Sequence, residues 1–578
     1  MMRRAGSSAV VPGVPWLTGL AAILCIATLL PLIALVVTAF GGSEGTAFAH
    51  YATTVLPRYV ANTVALVAIV GVGAAVAGVA SAWLVTMCRF PGQRLFAWLL
   101  VLPLAMPAYV SAYAYTFLLD HPGPVQSMLR DLTGWGPRDY WFPDIRSLEG
   151  AGFVLAMVLY PYVYLLARAA FIQQSAGAFE AARTLGRGPW RAFLGVAMPL
   201  ARPAIVGGLA LALMETLADY GTVSFFGVQT FTTAIYRTWF SMGDRVAAVQ
   251  FALILVGFVL VVVAMERIGR GRRRFADSRT GRPFQPMVLG GWRGALAVMA
   301  CALPVLFGFV APAATLLYVG ISLEVDWLDP RTVALIANTV TLAGVGALAT
   351  VLCAVVIAYA KRLSPGRVTT ALAYLATFGY AVPGAVIAVG LLLPFAAFDH
   401  WFHKLMVSLV GVGPGLLLTG TIAAVIFAYV VRFLAISLNG VEAGLSRIAP
   451  SLDGASRTLG AGPLRTFVRV HAPLLRGGLL TALLITFVDI MKELPATLIL
   501  RPFNFDTLAI RAYRLASDER LEMASIPSLY IVAAGLIPVI LLSRQIARAQ
   551  GTPRTADAAP ETPLTSATAP EIVSPPRA

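Results

Sequence analysis

Long apolar segments constrain this chain more than any other feature of its sequence. Runs of roughly 20 apolar residues recur throughout, the length that a helix needs to cross the ~30 Å hydrocarbon core of a bilayer. Because a membrane-spanning segment must satisfy its own backbone hydrogen bonds, the runs predict transmembrane helices. Twelve candidates lie near residues 16–40, 62–87, 95–118, 151–171, 201–218, 246–265, 294–320, 336–360, 370–396, 415–435, 475–491 and 525–543. The sequence therefore predicts an all-α integral membrane protein.

Composition and charge agree with this prediction. Charged residues make up 12% of the 578 residues, against about 25% in soluble globular domains, and the mean hydropathy is +0.81. The net charge of +16 would suit nucleic acid, but the basic residues fall in alternate connections, as the positive-inside rule describes. We therefore expect a multi-pass protein of the cytoplasmic (inner) membrane with both termini in the cytoplasm and no nucleic-acid partner. The first run is expected to be a retained span rather than a signal peptide.

One polar, glycine-rich segment occurs twice, 274 residues apart. The stretch EAARTLGRGPWRAFLGVAMPLARPAI opens at Glu180, and GASRTLGAGPLRTFVRVHAPLLRGGL opens at Gly454. Asn-Thr-Val at 62–64 and at 338–340 extends the repeat. Because internal repeats report repeated structural units, the chain is predicted to consist of two homologous halves with six spans each.

Domain boundaries follow from this repeat. The first half is predicted to occupy residues 1–265 and the second half residues 294–548. Residues 266–293 form a basic linker, which we expect to be a cytoplasmic loop that also meets anionic lipid. Residues 549–578 have few apolar side chains and are predicted to be a disordered tail.

Each copy of the repeated segment, at about 180–200 and about 453–474, predicts a short helix, a sharp turn and a second helix. In the first copy Gly186 is suited to end a helix and Pro189 to begin the next one. Such a unit would present a compact knob to a cytoplasmic partner. His471, which replaces the Ala197 of the first copy, is expected to lie on the surface.

The first copy, with Glu-Ala-Ala, three residues, Gly, six residues, Phe and then Pro, resembles the EAA motif of ATP-binding-cassette (ABC) importer permeases. The resemblance implies the type I importer permease fold, in which this short helix couples the permease to an ATPase. The residues that it implies for this coupling are Glu180, Ala181, Ala182, Gly186, Asp453, Ala455, Ser456 and Gly460. The second copy has Gly454 where the motif has Glu, so we expect the two contacts to differ.

The chain lacks the sequence of a nucleotide-binding subunit. No G-x-x-x-x-G-K-[ST] phosphate-binding loop occurs, and the only lysines are Lys361, Lys404 and Lys492. We therefore expect this chain to bind no cofactor and to catalyse no reaction, with ATP and Mg held by two copies of a partner ATPase. A membrane-embedded enzyme would need a nucleophile and base or a metal-ligand cluster, and the sequence offers neither a catalytic residue nor a firm metal site.

Four carboxylates recur within the fifth span of each half. Glu215 and Asp219 lie four residues apart and so share a helical face, as do Asp489 and Glu493. Charged groups inside spans are functional candidates, and carboxylate oxygens together with Tyr220 suit a hard cation such as Fe³⁺.

The carboxylates therefore predict a translocation path. The alternative is that they cap the outer ends of their helices or pair with arginines such as Arg237 and Arg501. Lys492 is expected to neutralise part of the second set.

The flanking sequences at 215–244 and 492–521 look like those of fused permeases from ferric-iron importers. This resemblance implies a periplasmic ferric-iron binding protein as donor. Rival substrates are thiamine, polyamines and phosphonates, of which cationic thiamine is the nearest. A secondary transporter shares the layout of twelve spans, but the duplicated coupling segment argues against it, because an ion-driven carrier has no ATPase to bind.

Overall fold

The computed structural model describes residues 14–41, 46–173, 188, 191, 193–270, 286–322 and 327–551, with side chains omitted for 41–49, 270 and 542–551. Glu180, Ala181, Ala182 and Gly186 lie outside the described residues, so their predicted contact with an ATPase stays a prediction. Most of the described chain is helical.

The helices of the first half alternate between long spans and short connectors. In chain order they are α1 Pro15–Gly41, α2 Thr46–Thr54, α3 Leu56–Met87, α4 Gln93–Leu99, the 3₁₀ turn Leu102–Ala105, α5 Ala108–Leu119, α6 Pro124–Thr133, α7 Leu148–Gln173, the π turn Phe193–Ala197, α8 Met198–Ala218, α9 Gly221–Phe225, α10 Phe231–Tyr236, the π turn Arg237–Ser241 and α11 Arg245–Arg270.

The second half repeats this order. Its elements are α12 Gly291–Val305, the π turn Leu306–Val310, α13 Ala311–Ser322, α14 Pro330–Leu363, α15 Arg367–Ala376, α16 Phe378–Ala381, α17 Gly384–Val410, α18 Ile422–Ser446, α19 Pro450–Thr458, α20 Pro463–Thr466, the π turn Phe467–His471, α21 Ala472–Met491, α22 Pro495–Leu500, α23 Leu508–Ser517 and α24 Leu521–Gly551.

Eleven stretches within the described residues are long and apolar enough to cross a membrane, and a twelfth results if Gln93–Ala105 and Ala108–Thr133 count as one bent span. The prediction of an all-helical protein with twelve spans is confirmed. The third predicted run of each half, 95–118 and 370–396, is interrupted, however, although α17 in the second half is long enough to span by itself. Pro107 and Pro383 immediately precede α5 and α17, where a residue without an N–H starts a new helix.

The third span of each half packs against helices of the other half. Helices α1 and α11 of the first half pack on α17, and α13 and α24 of the second half pack on α5. One close approach is at Gly390 of α17, where an added Cβ would lie 2.5 Å from the carbonyl oxygen of Pro31 in α1. The halves are therefore interlocked rather than simply apposed.

The predicted linker has structured ends. Helix α11 runs to Arg270, and Met287–Val288 (β2) pairs in parallel with Cys88–Arg89 (β1) after the second span. Residues 271–285 of the linker lie outside the described part, as do residues 552–578 of the predicted tail, although α24 continues to Gly551. The domain boundaries stay predictions.

Replacing Gly390 by Ala should destabilise the protein by about 1–3 kcal/mol, because overpacking forces neighbouring backbone to shift. Thermal unfolding of the purified protein in detergent measures this. Gly344→Ala is the matched control, since an added Cβ at Gly344, also inside a long helix, meets nothing within 4 Å. Equal melting temperatures for the two variants would contradict the close packing of α1 on α17.

Candidate translocation site

A cavity lies between the two halves, next to their fifth spans. It is bordered by the start of α5, by α7 and by the ends of α8 and α21. All five residues predicted for the path line it, namely Glu215, Asp219, Tyr220, Asp489 and Glu493. The repeat in the sequence thus brings its four carboxylates to one place, while their role in transport stays a prediction.

Two of the four carboxylates cap short helices. Asp219 accepts hydrogen bonds from the backbone N–H groups of Thr222 and Val223, both at 3.1 Å. Glu493 accepts them from Ala496 at 2.9 Å and Thr497 at 3.0 Å. These carboxylates occupy equivalent positions in the repeat and satisfy the free donors at the starts of α9 and α22.

The other two carboxylates lie next to basic side chains. Oε2 of Glu215 lies 3.8 Å from Nη2 of Arg432, and its Oε1 lies 3.4 Å from the hydroxyl of Tyr380. Asp489 lies 2.8 Å from Lys492, so the expected partial neutralisation of the second set is confirmed. The side chains of Glu215, Asp489 and Lys492 are each between 22% and 29% exposed, which leaves them accessible from the cavity.

The capping alternative is thus correct for Asp219 and Glu493, with one change. They cap the helix that follows, not the outer end of their own helix. Arg501 pairs with Asp506 at 2.7 Å instead of with the four carboxylates. Asp219 and Glu493 still line the cavity. Each carboxylate can therefore cap a helix and also contact a ligand in the cavity.

Sequence reasoning missed Arg432, Tyr380 and Tyr162, which also line the cavity. A signal for Arg432 was present, because it is the one charged residue in the apolar run 415–435, and charge inside a span is costly. The tyrosines gave no comparable signal, since aromatic residues are common in spans.

Tyr220 lines both this cavity and a second one. Its hydroxyl accepts a hydrogen bond from Tyr513 at 3.2 Å, and its ring lies 5.0 Å from that of Tyr236 between centroids. Ser224 also contacts the Tyr513 hydroxyl at 3.0 Å. Tyr220 is therefore fixed by both halves, since Tyr513 belongs to the second.

An ion pair outside the spans also joins the halves. Arg146 donates two hydrogen bonds to Glu519, at 2.7 and 2.9 Å, and lies 3.2 Å from Asp120. The bidentate Arg146 guanidinium holds the pKa of the Glu519 carboxyl below its usual range. Glu519 has a positive φ of 58°, a conformation that side chains other than Gly adopt rarely.

The second coupling segment forms the predicted helix, turn and helix. Helix α19 ends at Thr458, Gly460 takes a φ of +76°, and α20 begins at Pro463. Ala455 and Gly460 are exposed, and Leu459 beside them is 85% exposed. This surface is open to a partner.

Asp453 and Ser456 face inward instead. Asp453 accepts from Arg362 at 2.8 Å and lies 2.7 Å from Nε2 of His471. Ser456 is buried and hydrogen-bonded to Thr466 at 2.7 Å. Both side chains therefore bind other parts of this chain. A direct contact of either with an ATPase stays a prediction.

The expectation that His471 is a surface residue is wrong. Its side chain is fully buried, with its ring 5.5 Å from that of Tyr359. A polar residue is buried here because Asp453 of the same segment and Arg362, which is far away in the sequence, lie next to it. Among the described residues, no group of three or more His, Cys, Asp and Glu side chains is arranged to hold a metal ion.

The family model described as "binding-protein-dependent transport system inner membrane component" matches residues 74–274 and again residues 346–551, more than half of the chain. The chain belongs to this family. It is a multi-pass permease of the inner membrane, the transport subunit of an ABC importer, and permeases of this family work with an ATPase and a periplasmic binding protein. The two matches agree with the predicted fusion of two homologous halves.

Named relatives of the permease include iron transport proteins. It is 25% identical over 494 residues to an Fe(3+)-transport system permease protein of Haemophilus influenzae, covering 85% of this chain and 90% of that protein. It is 24% identical over 482 residues to a ferric transport system permease protein of Actinobacillus pleuropneumoniae, covering 79% and 66%. A molybdenum transport system permease protein of Escherichia coli is 28% identical over 211 residues, 36% of this chain and 88% of that protein.

Replacing Glu493 by Ala should destabilise the permease by about 1–3 kcal/mol, because the N–H groups of Ala496 and Thr497 lose their acceptor in a buried setting. Glu493→Gln keeps one acceptor oxygen and should fall between that variant and the wild type. Thermal unfolding in detergent measures both. A Glu493→Ala variant that melts like the wild type would show that the cap contributes nothing to stability.

Proposed function

We propose that the permease passes ferric iron, delivered by a periplasmic ferric-iron binding protein, across the cytoplasmic membrane. The observation that carries the proposal is the cavity between the halves, which is lined by four carboxylates and four tyrosines: Glu215, Asp219, Asp489, Glu493, Tyr109, Tyr162, Tyr220 and Tyr380. Oxygen ligands of this kind suit a hard cation. The names of the ferric relatives support the same substrate.

The driving energy comes from a partner in this proposal. Two ATPase subunits, which hold ATP and Mg, bind the two coupling segments, and this chain binds neither. Both termini lie in the cytoplasm, on the side of the coupling segments, as the distribution of arginines predicts.

A continuous helix joins the second coupling segment to the cavity. Residues Pro463–Met491 form one helical span, and Asp489 lies at its far end. At 1.5 Å per residue, the cavity is about 40 Å from the start of this span. Since Arg362 binds both Asp453 and the carbonyl oxygens of Leu445 and Ile448, a force on the segment also reaches α18, which carries Arg432.

The cavity would then open to alternate sides. ATP binding brings the ATPase subunits together and moves both coupling segments, which turns the fifth spans and opens the cavity outward to the donor. Hydrolysis and release restore the inward-facing state. Alternating access requires that the outward-facing and inward-facing states bind ATP with different affinity. That difference provides the free energy that shifts the equilibrium between the two states.

Cells that lack the chromosomal copy of the permease should lose uptake of radiolabelled ferric iron and regain it with the wild-type chain. Labelled thiamine is measured in parallel. Glu215→Gln combined with Asp489→Asn should lower iron uptake, because it removes the charges of the two carboxylates that do not cap a helix while keeping both caps. Loss of thiamine uptake alone would keep the importer architecture and overturn the substrate.

Replacing Ala455 by Arg should abolish uptake while the protein still inserts, because a long charged side chain would separate the second coupling segment from the ATPase. Immunodetection in isolated membranes and ATPase activity of the assembled complex measure insertion and coupling. Leu132→Arg is the control, since Leu132 is 77% exposed on the predicted outer side. Normal uptake with Ala455→Arg would place the docking site elsewhere.

A further inference from the structure

The cavity contains a positive group that lacks a hydrogen-bond partner. Arg432 is only 8% exposed, and among the described residues its Nη1 has no acceptor. Its Nη2 lies 3.8 Å from Glu215, too far for a hydrogen bond. Because a buried donor without an acceptor is costly, this guanidinium is suited to receive an acceptor from a ligand in the cavity.

Two further positive features border the same space. The ammonium group of Lys492 lines the cavity beside Asp489. The first turn of the 12-residue helix α5 also borders it, through Pro107 and Ala108, and no side chain caps this helix end. Helix N-termini carry free N–H groups and a partial positive charge that favour anions.

The carboxylates are already engaged. Asp219 and Glu493 bind backbone N–H groups, and Glu215 and Asp489 each face a cation. A bare Fe³⁺ ion would meet the charges of Arg432 and Lys492 at short range, and a bare anion would meet the four carboxylates. A cargo that carries both signs of charge suits this wall better than either ion alone.

We propose that ferric iron crosses this cavity as a complex with a small oxyanion. Arg432, Lys492 and the N-terminus of α5 receive the anion, and Glu215, Asp489 and the hydroxyl of Tyr380 face the metal. The inference rests on the proposed function, and it specifies the chemical form of the substrate. The oxyanion class covers phosphate and small carboxylates, which the same donors recognise.

The test follows metal and anion together. Proteoliposomes contain the permease with its ATPase and internal ATP, and receive binding protein loaded with ⁵⁵Fe³⁺ and either [³²P]phosphate or [¹⁴C]citrate, in chloride medium freed of carbonate. We expect iron and one anion label to enter in similar molar amounts. Entry of iron without either label would overturn the inference and leave the proposed function intact, whereas entry of no iron would overturn the proposed function and the inference with it.

Variants test the anion-binding groups. Arg432→Gln should lower the entry of both labels about tenfold, the effect of one charge-assisted hydrogen bond, and Arg432→Lys should recover part of it. Arg168→Gln is the matched control, because Arg168 is 4% exposed but does not line the cavity, and it should transport like the wild type.

A second variant keeps the inference testable if Arg432→Gln fails to fold. Lys492→Gln leaves Arg432 and Glu215 in place, and it too should reduce the entry of both labels. Unchanged entry of the anion label in Lys492→Gln and in any folded Arg432 variant would overturn the assignment of these groups.

Discussion

The need to satisfy backbone hydrogen bonds inside the protein determines where this permease can keep a polar cavity. The fifth span of each half stops at Ala218 or Met491 and restarts as a short helix, which frees N–H groups away from water. Asp219 and Glu493 accept these donors. An irregular backbone in this position is tolerated only where such partners exist or where it lines a cavity. The same carboxylates that make the break possible therefore make the cavity acidic.

Hydropathy and the internal repeat predicted the spans, the two halves and five of the residues that line the cavity, because all of these depend on local pattern or on equivalence at one offset. What they could not predict depends on contacts between distant segments. The burial of His471 requires Asp453 and Arg362 beside it, and neither neighbour follows from periodicity. The breaks at Pro107 and Pro383 were visible as prolines, but a proline inside a span can also only bend it. Arg432 was detectable as a charge in an apolar run, yet its position beside Glu215 was not.

The two halves differ in the packing around the start of their fifth spans. In the first half Trp83 packs on Phe193, with ring centroids 4.3 Å apart, and in the second half Tyr359 packs on Phe467 at 5.0 Å. In the second half, Asp453 and His471 add charged and polar groups next to this packing. In the cavity, Lys492 takes the place equivalent to Ala218. Two homologous halves thus form a cavity wall whose charges are not symmetric.

The interlocked packing also bears on how the chain is made. Helix α1 finds its neighbour α17 only after more than 300 further residues have been synthesised, on the order of tens of seconds at bacterial elongation rates. During that time α1 can pack on α11 of its own half but has no partner from the second half, and a sequence that is apolar on all sides is suited to contact with lipid. The helix of such a pair that is synthesised first therefore has to be stable in the bilayer before its partner from the other half exists.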